Sequence, residues 1–105
     1  MSKYHAVRTT VDGITFASKA EARRYQELKM LERAGKIAEL RLQPRYVLSV
    51  DGTPIGEYRG DFQYVMLPTH EIITEDVKGM KTPMYRWKKK HLKAQWGIEI
   101  QEITR

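Results

Sequence analysis

The chain has 105 residues, with 19 Lys and Arg against 13 Asp and Glu, for a formal charge of +6. That length fits one domain with a core of its own, and 41% hydrophobic with 30% charged residues is a globular composition. The lack of cysteine excludes a disulfide scaffold, a Cys-ligated zinc site and thiol chemistry. Apolar runs such as Val65-Met66-Leu67 fall far short of the about 20 residues that span a bilayer. Residues 1–10 carry Lys3, His5 and Arg8 but no apolar segment of the secretory kind. A soluble, cytoplasmic protein is expected.

Residues 1–12 read as a flexible or extended N-terminal arm. From Ser18 the run SKAEARRYQELKMLERAG reads as a helix. Ser18 suits the N-cap, Glu21 stands three residues on as in a capping box, and Gly35 suits the left-handed end position. Tyr25, Leu28 and Leu31 supply its apolar stripe. Arg45–Val50 reads as a strand after Pro44, and Asp51-Gly52 is a strong turn signal. A second strand runs from Ile55 or Glu57 to Met66, with Gly60 as a bulge or point of close approach. Pro68-Thr69-His70 breaks it. A third strand, Ile72–Lys78, stops at Gly79. Thr82-Pro83 opens a second helix that Gly97 closes, and Ile98, Ile100 and Ile103 mark a last short strand. The predicted order is α-β-β-β-α-β: a single α/β or α+β domain with a small mixed sheet flanked by helices.

The charge is localised. Residues 1–77 hold 11 basic and 11 acidic side chains, whereas residues 78–98 hold seven basic and no acidic ones. Such a block on a neutral body is the footprint of a phosphate-rich partner, although a solvated Lys-rich helix face would read the same way. Within the second helix, Arg86, Lys89, Lys90 and Lys93 share one side at about 100° per residue. Lys88 falls instead toward Met84 and Tyr85, where an ammonium needs an anion or a route to water.

The sharpest local signal is Thr74-Glu75-Asp76-Val77-Lys78-Gly79. Strand alternation puts Asp76 and Lys78 on one face and Glu75 on the other. A carboxylate beside an ammonium can hold a cation and steer a water together; a cross-strand ion pair explains the same residues. Asp61, in the preceding strand, would lie next to Asp76 in a hairpin and sits among Phe62, Tyr64 and Val65, where an unpaired carboxylate is costly. Glu21 is accounted for as a cap, yet it stands four and seven residues before Tyr25 and Leu28, near the inward face of its helix. His5, His70 and His91 lack any metal-ligand spacing and read as surface residues.

Glu21, Asp61, Asp76 and Lys78, in the order helix, strand, strand, strand, resemble the PD-(D/E)XK nuclease superfamily. Within it, the chain is similar to a small phage family of unknown-function domains grouped with Holliday-junction-resolvase-like endonucleases. The likeness runs from Gly13-Ile14-Thr15-Phe16 through the first helix, Gly60-Asp61-Phe62 and Glu75-Asp76-Val77-Lys78-Gly79 to Trp87-Lys88 and Gly97-Ile98. Gly60 replaces the proline usual before the first aspartate, and Asp76 the commoner glutamate, with Glu75 beside it as the alternative ligand.

The resemblance implies a restriction-endonuclease-like fold and a Mg²⁺-dependent DNA endonuclease, with Mn²⁺ as a substitute. It would act on duplex or branched DNA in phage recombination or processing, in the host-cell cytoplasm if phage-encoded. Metal ligation would fall to Asp61 and Asp76, with Glu21 directly or through water, and Lys78 and Lys88 would complete the catalytic set. Lys81, Arg86, Lys89, Lys90 and Lys93 would bind flanking phosphates, and junction resolution would require a homodimer. The alternative is a non-catalytic nucleic-acid-binding module using the basic helix 82–96.

Overall fold

The computed structural model describes residues 7–78 and 80–104. Residues 1–6, Gly79 and Arg105 lie outside the described residues. With them go half of the expected arm, His5 and the glycine expected to stop the third strand.

Inside the expected arm, β1 (Thr9–Val11) pairs antiparallel with β2 (Ile14–Phe16) across Asp12-Gly13, both at positive φ. Next comes α1 (Lys19–Arg33), whose first turn is capped by the Ser18 hydroxyl, which accepts from the Glu21 backbone N–H at 3.1 Å. It buries Ala22, Tyr25 and Leu28. Leu31 is left 36% exposed, because the buried stripe begins a turn earlier than expected, at Ala22. The remaining elements are β3 (Ile37–Leu42), β4 (Arg45–Val50), β5 (Thr53–Arg59), β6 (Phe62–Met66), β7 (Ile72–Lys78), α2 (Pro83–Trp96) and β8 (Ile100–Thr104).

Four strands form a mixed sheet in the order β3-β6-β7-β8. β6 runs antiparallel to both β3 and β7, while β7 and β8 are parallel. Parallel neighbours need a long crossover, and α2 supplies it. β4 and β5 form a separate hairpin that is not part of this sheet. Across the described residues the order is thus β-β-α-β-β-β-β-β-α-β, richer than expected. The order α-β-β-β-α-β describes only the helices with the four-stranded sheet, and there the first strand is β3, not Arg45–Val50.

Two differences from the expectation have local causes. β3 escaped the sequence pattern because Glu39 takes φ +54° and the pairing shifts register between Ala38 and Arg41, which breaks the alternation. The single strand expected up to Met66 is divided at Gly60-Asp61, where both residues turn to other partners. Gly60 N–H donates to the Pro44 carbonyl at 2.9 Å, and Asp61 N–H to the Glu75 carbonyl at 3.0 Å. A Cβ at Gly60 would stand 3.2 Å from the Thr74 methyl and 3.3 Å from the Pro44 ring, so a side chain there would push these neighbours aside by a few tenths of an ångström.

The sheet separates two cores. On one face α1 and β2 cover Ile37, Phe62 and Tyr64. On the other, α2 and the hairpin gather Tyr46, Leu48, Tyr58, Tyr85, Leu92 and Ile100. The hairpin is fastened to α2 by Trp96 Nε1 donating to the Val47 carbonyl and by Ser49 N–H donating to Gln95. No helix among the described residues is long and apolar enough to cross a membrane.

Candidate active site

The register of β6 and β7 pairs Phe62 with Glu75, which brings Asp61 to the end of the sheet beside Asp76. Asp61 Oδ2 accepts from the Val77 backbone N–H at 2.7 Å. Its carboxyl also shares a hydrogen bond with Glu21, from the first turn of α1. Glu21 does double duty there, since its Oε2 accepts from the Ala17 N–H at 3.0 Å. Burial, the Glu21 bond and the negative charges of Asp76 and Glu21 together push Asp61 up to about 9, against the single favourable Val77 N–H.

Along β7 the two faces divide the acids. Glu75 is fully buried on the α1 face, where Arg24 grips it through Nε at 2.8 Å and Nη2 at 2.5 Å, and Tyr64 donates a further hydrogen bond. Such a closed, bidentate pair has little left to offer a ligand. Asp76 points to the α2 face. Its Oδ2 accepts from Tyr58 and its Oδ1 lies 3.4 Å from Lys78 Nζ. The Lys78 ammonium also sits 4.1 Å over the Tyr85 ring, so a carboxylate and an aromatic face hold it in place.

Asp76, Lys78 and Lys88 line one cavity of about 460 Å³ between the hairpin and α2, together with Tyr58, Arg59 and Met84. Glu21 and Asp61 line another, of about 200 Å³, with Gln43 and Phe62. Lys88 is thus half-buried beside Asp76, on the side of α2 away from the other lysines. The division explains a further fact: among the described residues, no group of three or more His, Asp or Glu side chains is arranged to hold a metal ion by itself. Still, the donors suit a hard cation. They are carboxylate oxygens, and Mg²⁺ needs only one or two carboxylates when water and substrate oxygens fill the rest of its shell.

The basic helix is less free than its sequence suggests. Lys81 and Lys89 pair with Glu102 at 3.0 and 3.2 Å, and Lys93 pairs with Glu99 at 3.0 Å. Tyr85 donates to Glu102 as well, and these bonds hold that carboxyl down at about 2. Arg86 and Lys90 are exposed and carry no ion pair among the described residues. His70 is exposed, whereas His91 is half-buried, its Nε2 3.0 Å from the Ser49 carbonyl on the hairpin. Sequence reasoning missed Tyr58, Arg59, Tyr85 and Arg24 at this site. Only the first two left a trace, as the residues just before Gly60-Asp61.

A family model described as "Protein of unknown function (DUF1064)" matches residues 1–104, and the chain belongs to that family. No curated protein and no solved structure matches it.

Proposed function

We propose that the chain is a metal-dependent DNA endonuclease that selects structure or weak sequence features. The observation that carries the reading is the meeting of Asp61 and Asp76, from β6's entry and from β7, with Lys78 fixed beside Asp76. Asp61 and Asp76 side by side at the end of the sheet, with Glu21 against Asp61, would repel a polyanion unless a cation intervenes. The sheet and helices in the order α1-β3-β6-β7-α2-β8 also agree with a restriction-endonuclease-like core.

Asp61 and Asp76 would hold Mg²⁺ or Mn²⁺, with Glu21 reaching it through water. Such a cation, when bound, polarises the scissile phosphate and lowers the pKa of a bound water. The chain's own groups set the stage around it. Asp61, whose carboxyl is pushed up to about 9, would give up its proton when the site is occupied. Tyr58 donates to Asp76 Oδ2 and so orients the carboxylate that would hold the cation. Lys78, fixed by Asp76 and Tyr85, orients the attacking water or stabilises charge building on the phosphorane. Lys88, which lines the same cavity from α2, would contact the scissile phosphate.

Arg86 and Lys90 would contact flanking phosphates without reading bases. Resolution of a four-way junction would require a homodimer carrying two such sites. Incubating supercoiled plasmid with the protein in Mg²⁺, and in EDTA, tests the reading: nicking confined to the Mg²⁺ arm is expected, and none in either overturns it.

A further inference from the structure

The cavity above Asp76 has two unlike walls. α2 supplies Lys88 and Met84; the β4–β5 hairpin supplies Arg59 and Tyr58. At the floor the Asp76 side chain is only 6% exposed. The space above it, about 460 Å³, is open to solvent.

Arg59 is exposed and makes no ion pair among the described residues. Directly across the hairpin, its register partner is Arg45, also exposed and also without an ion pair among the described residues. Like charges opposite one another destabilise a strand pair. An anion lying along this edge would remove that repulsion. Among the described residues, Glu57 is the only acid besides Asp76 that lines the cavity, against Arg59, Lys78 and Lys88. The walls therefore suit a chain of phosphates.

The side chains beside the cavity then select which polymer. A duplex keeps its bases stacked inside the helix, whereas an unpaired strand offers bare base faces together with its phosphates. An unpaired strand has one flexible backbone that can be drawn to the floor while its bases swing outward. Met84, on the cavity wall, is 62% exposed, and Trp87, three residues on along α2 with its ring 5.4 Å from that of His91, is 44% exposed. Exposed aromatic side chains stack bases of any sequence.

We propose that the cleft between the β4–β5 hairpin and α2 is a single-strand channel. It takes an unpaired DNA strand, with Arg59 on the phosphate next to the scissile one and Trp87 stacked on a base. The channel rests on the endonuclease reading for the identity of the polymer, but binding and cutting are separable.

Fluorescence anisotropy in EDTA, where no cutting occurs, tests it with a labelled oligothymidylate, a blunt duplex and a duplex bearing a single-stranded flap. The single strand and the flap should bind about tenfold tighter than the duplex. Arg59→Gln and Trp87→Ala, each with unchanged thermal unfolding, should each weaken single-strand binding about tenfold while sparing the duplex. Arg59→Gln should also reduce the single-strand salt slope by about 0.7, one phosphate contact. Equal or tighter binding of the duplex, or equal losses on both substrates, overturns the channel. Single-strand preference without any Mg²⁺-dependent cutting supports the channel and removes the endonuclease reading; cutting without the preference does the reverse.

Discussion

Replacing Asp61 by asparagine should make the metal-free protein more stable at neutral pH. The amide keeps the shape of the carboxyl: its oxygen can accept from Val77 N–H, now bonded at 2.7 Å, and its NH₂ can donate to Glu21. What disappears is a carboxyl whose folded pKa lies at about 9 because of burial, Glu21 and Asp76. An unfolded aspartate titrates near pH 3.9, so between these values the folded wild type binds the extra proton. Its stability is then complete below about pH 4 and declines as pH rises toward 9. The Asp61→Asn variant would carry no such slope. Leaving a buried polar group in the wrong state costs about 1–3 kcal/mol, so a gain of about 2 kcal/mol is expected at pH 8, or on the order of 10 °C in Tm for a domain this size. Thermal unfolding by circular dichroism in EDTA, from pH 5 to 9, should show a gap between variant and wild type that widens with pH. Added Mg²⁺ should narrow it by stabilising only the wild type. An Asp61→Asn protein that melts below wild type at pH 8, or a gap constant with pH, would refute the crowding of acids on which the site is built.

The two acids of β7 should separate cleanly. Asp76→Asn should abolish cleavage with the fold intact, whereas Glu75→Gln, which breaks the Arg24 pair, should lower Tm by several degrees and leave residual cleavage; a dead but stable Glu75→Gln would reverse the assignment. Lys88→Met keeps the stem and removes the charge, so the cleavage rate should fall about tenfold, about 1.4 kcal/mol, with DNA affinity nearly unchanged; a wild-type rate would place this ammonium outside the reaction. Arg86→Gln with Lys90→Gln should lower the duplex salt slope by about 1.8 in total, while Lys93→Gln, already paired with Glu99, should change it less; equal slopes for all would contradict the ion pairs seen. Glu102, held at about 2, contributes stability that is present above about pH 4.3 and lost as pH falls through its folded value. Glu102→Gln should therefore flatten the acid limb of the Tm profile, and an unaltered limb would discount the Tyr85, Lys81 and Lys89 bonds.

Both helices were legible because their ends carry local chemistry: Ser18 and Thr82 accept from the backbone three residues on, and Gly97 takes φ +69°. β7 was legible for the same reason of locality, its alternation putting Asp76 and Lys78 on one face and Glu75 on the other. β3 was not, since one left-handed residue at Glu39 erased its period. The break at Gly60 depends on Pro44 and Thr74 pressing from other segments, which no short window of sequence contains. Likewise, nothing near Glu75 announces Arg24, which lies 51 residues earlier and is brought to it only by packing α1 on the sheet. The ion pairs of Lys81 and Lys89 arise in the same manner, because β8 returns Glu102 to a helix whose own sequence holds no acid.

The most direct measurement sets wild type beside Asp76→Asn, purified identically, on supercoiled plasmid with Mg²⁺, and follows the appearance of nicked circles. The wild type should nick and the variant should not, while both melt as folded proteins and both bind DNA. Equal nicking by the two, or none by the wild type in Mg²⁺ or Mn²⁺, would contradict a metal-dependent nuclease centred on Asp61 and Asp76.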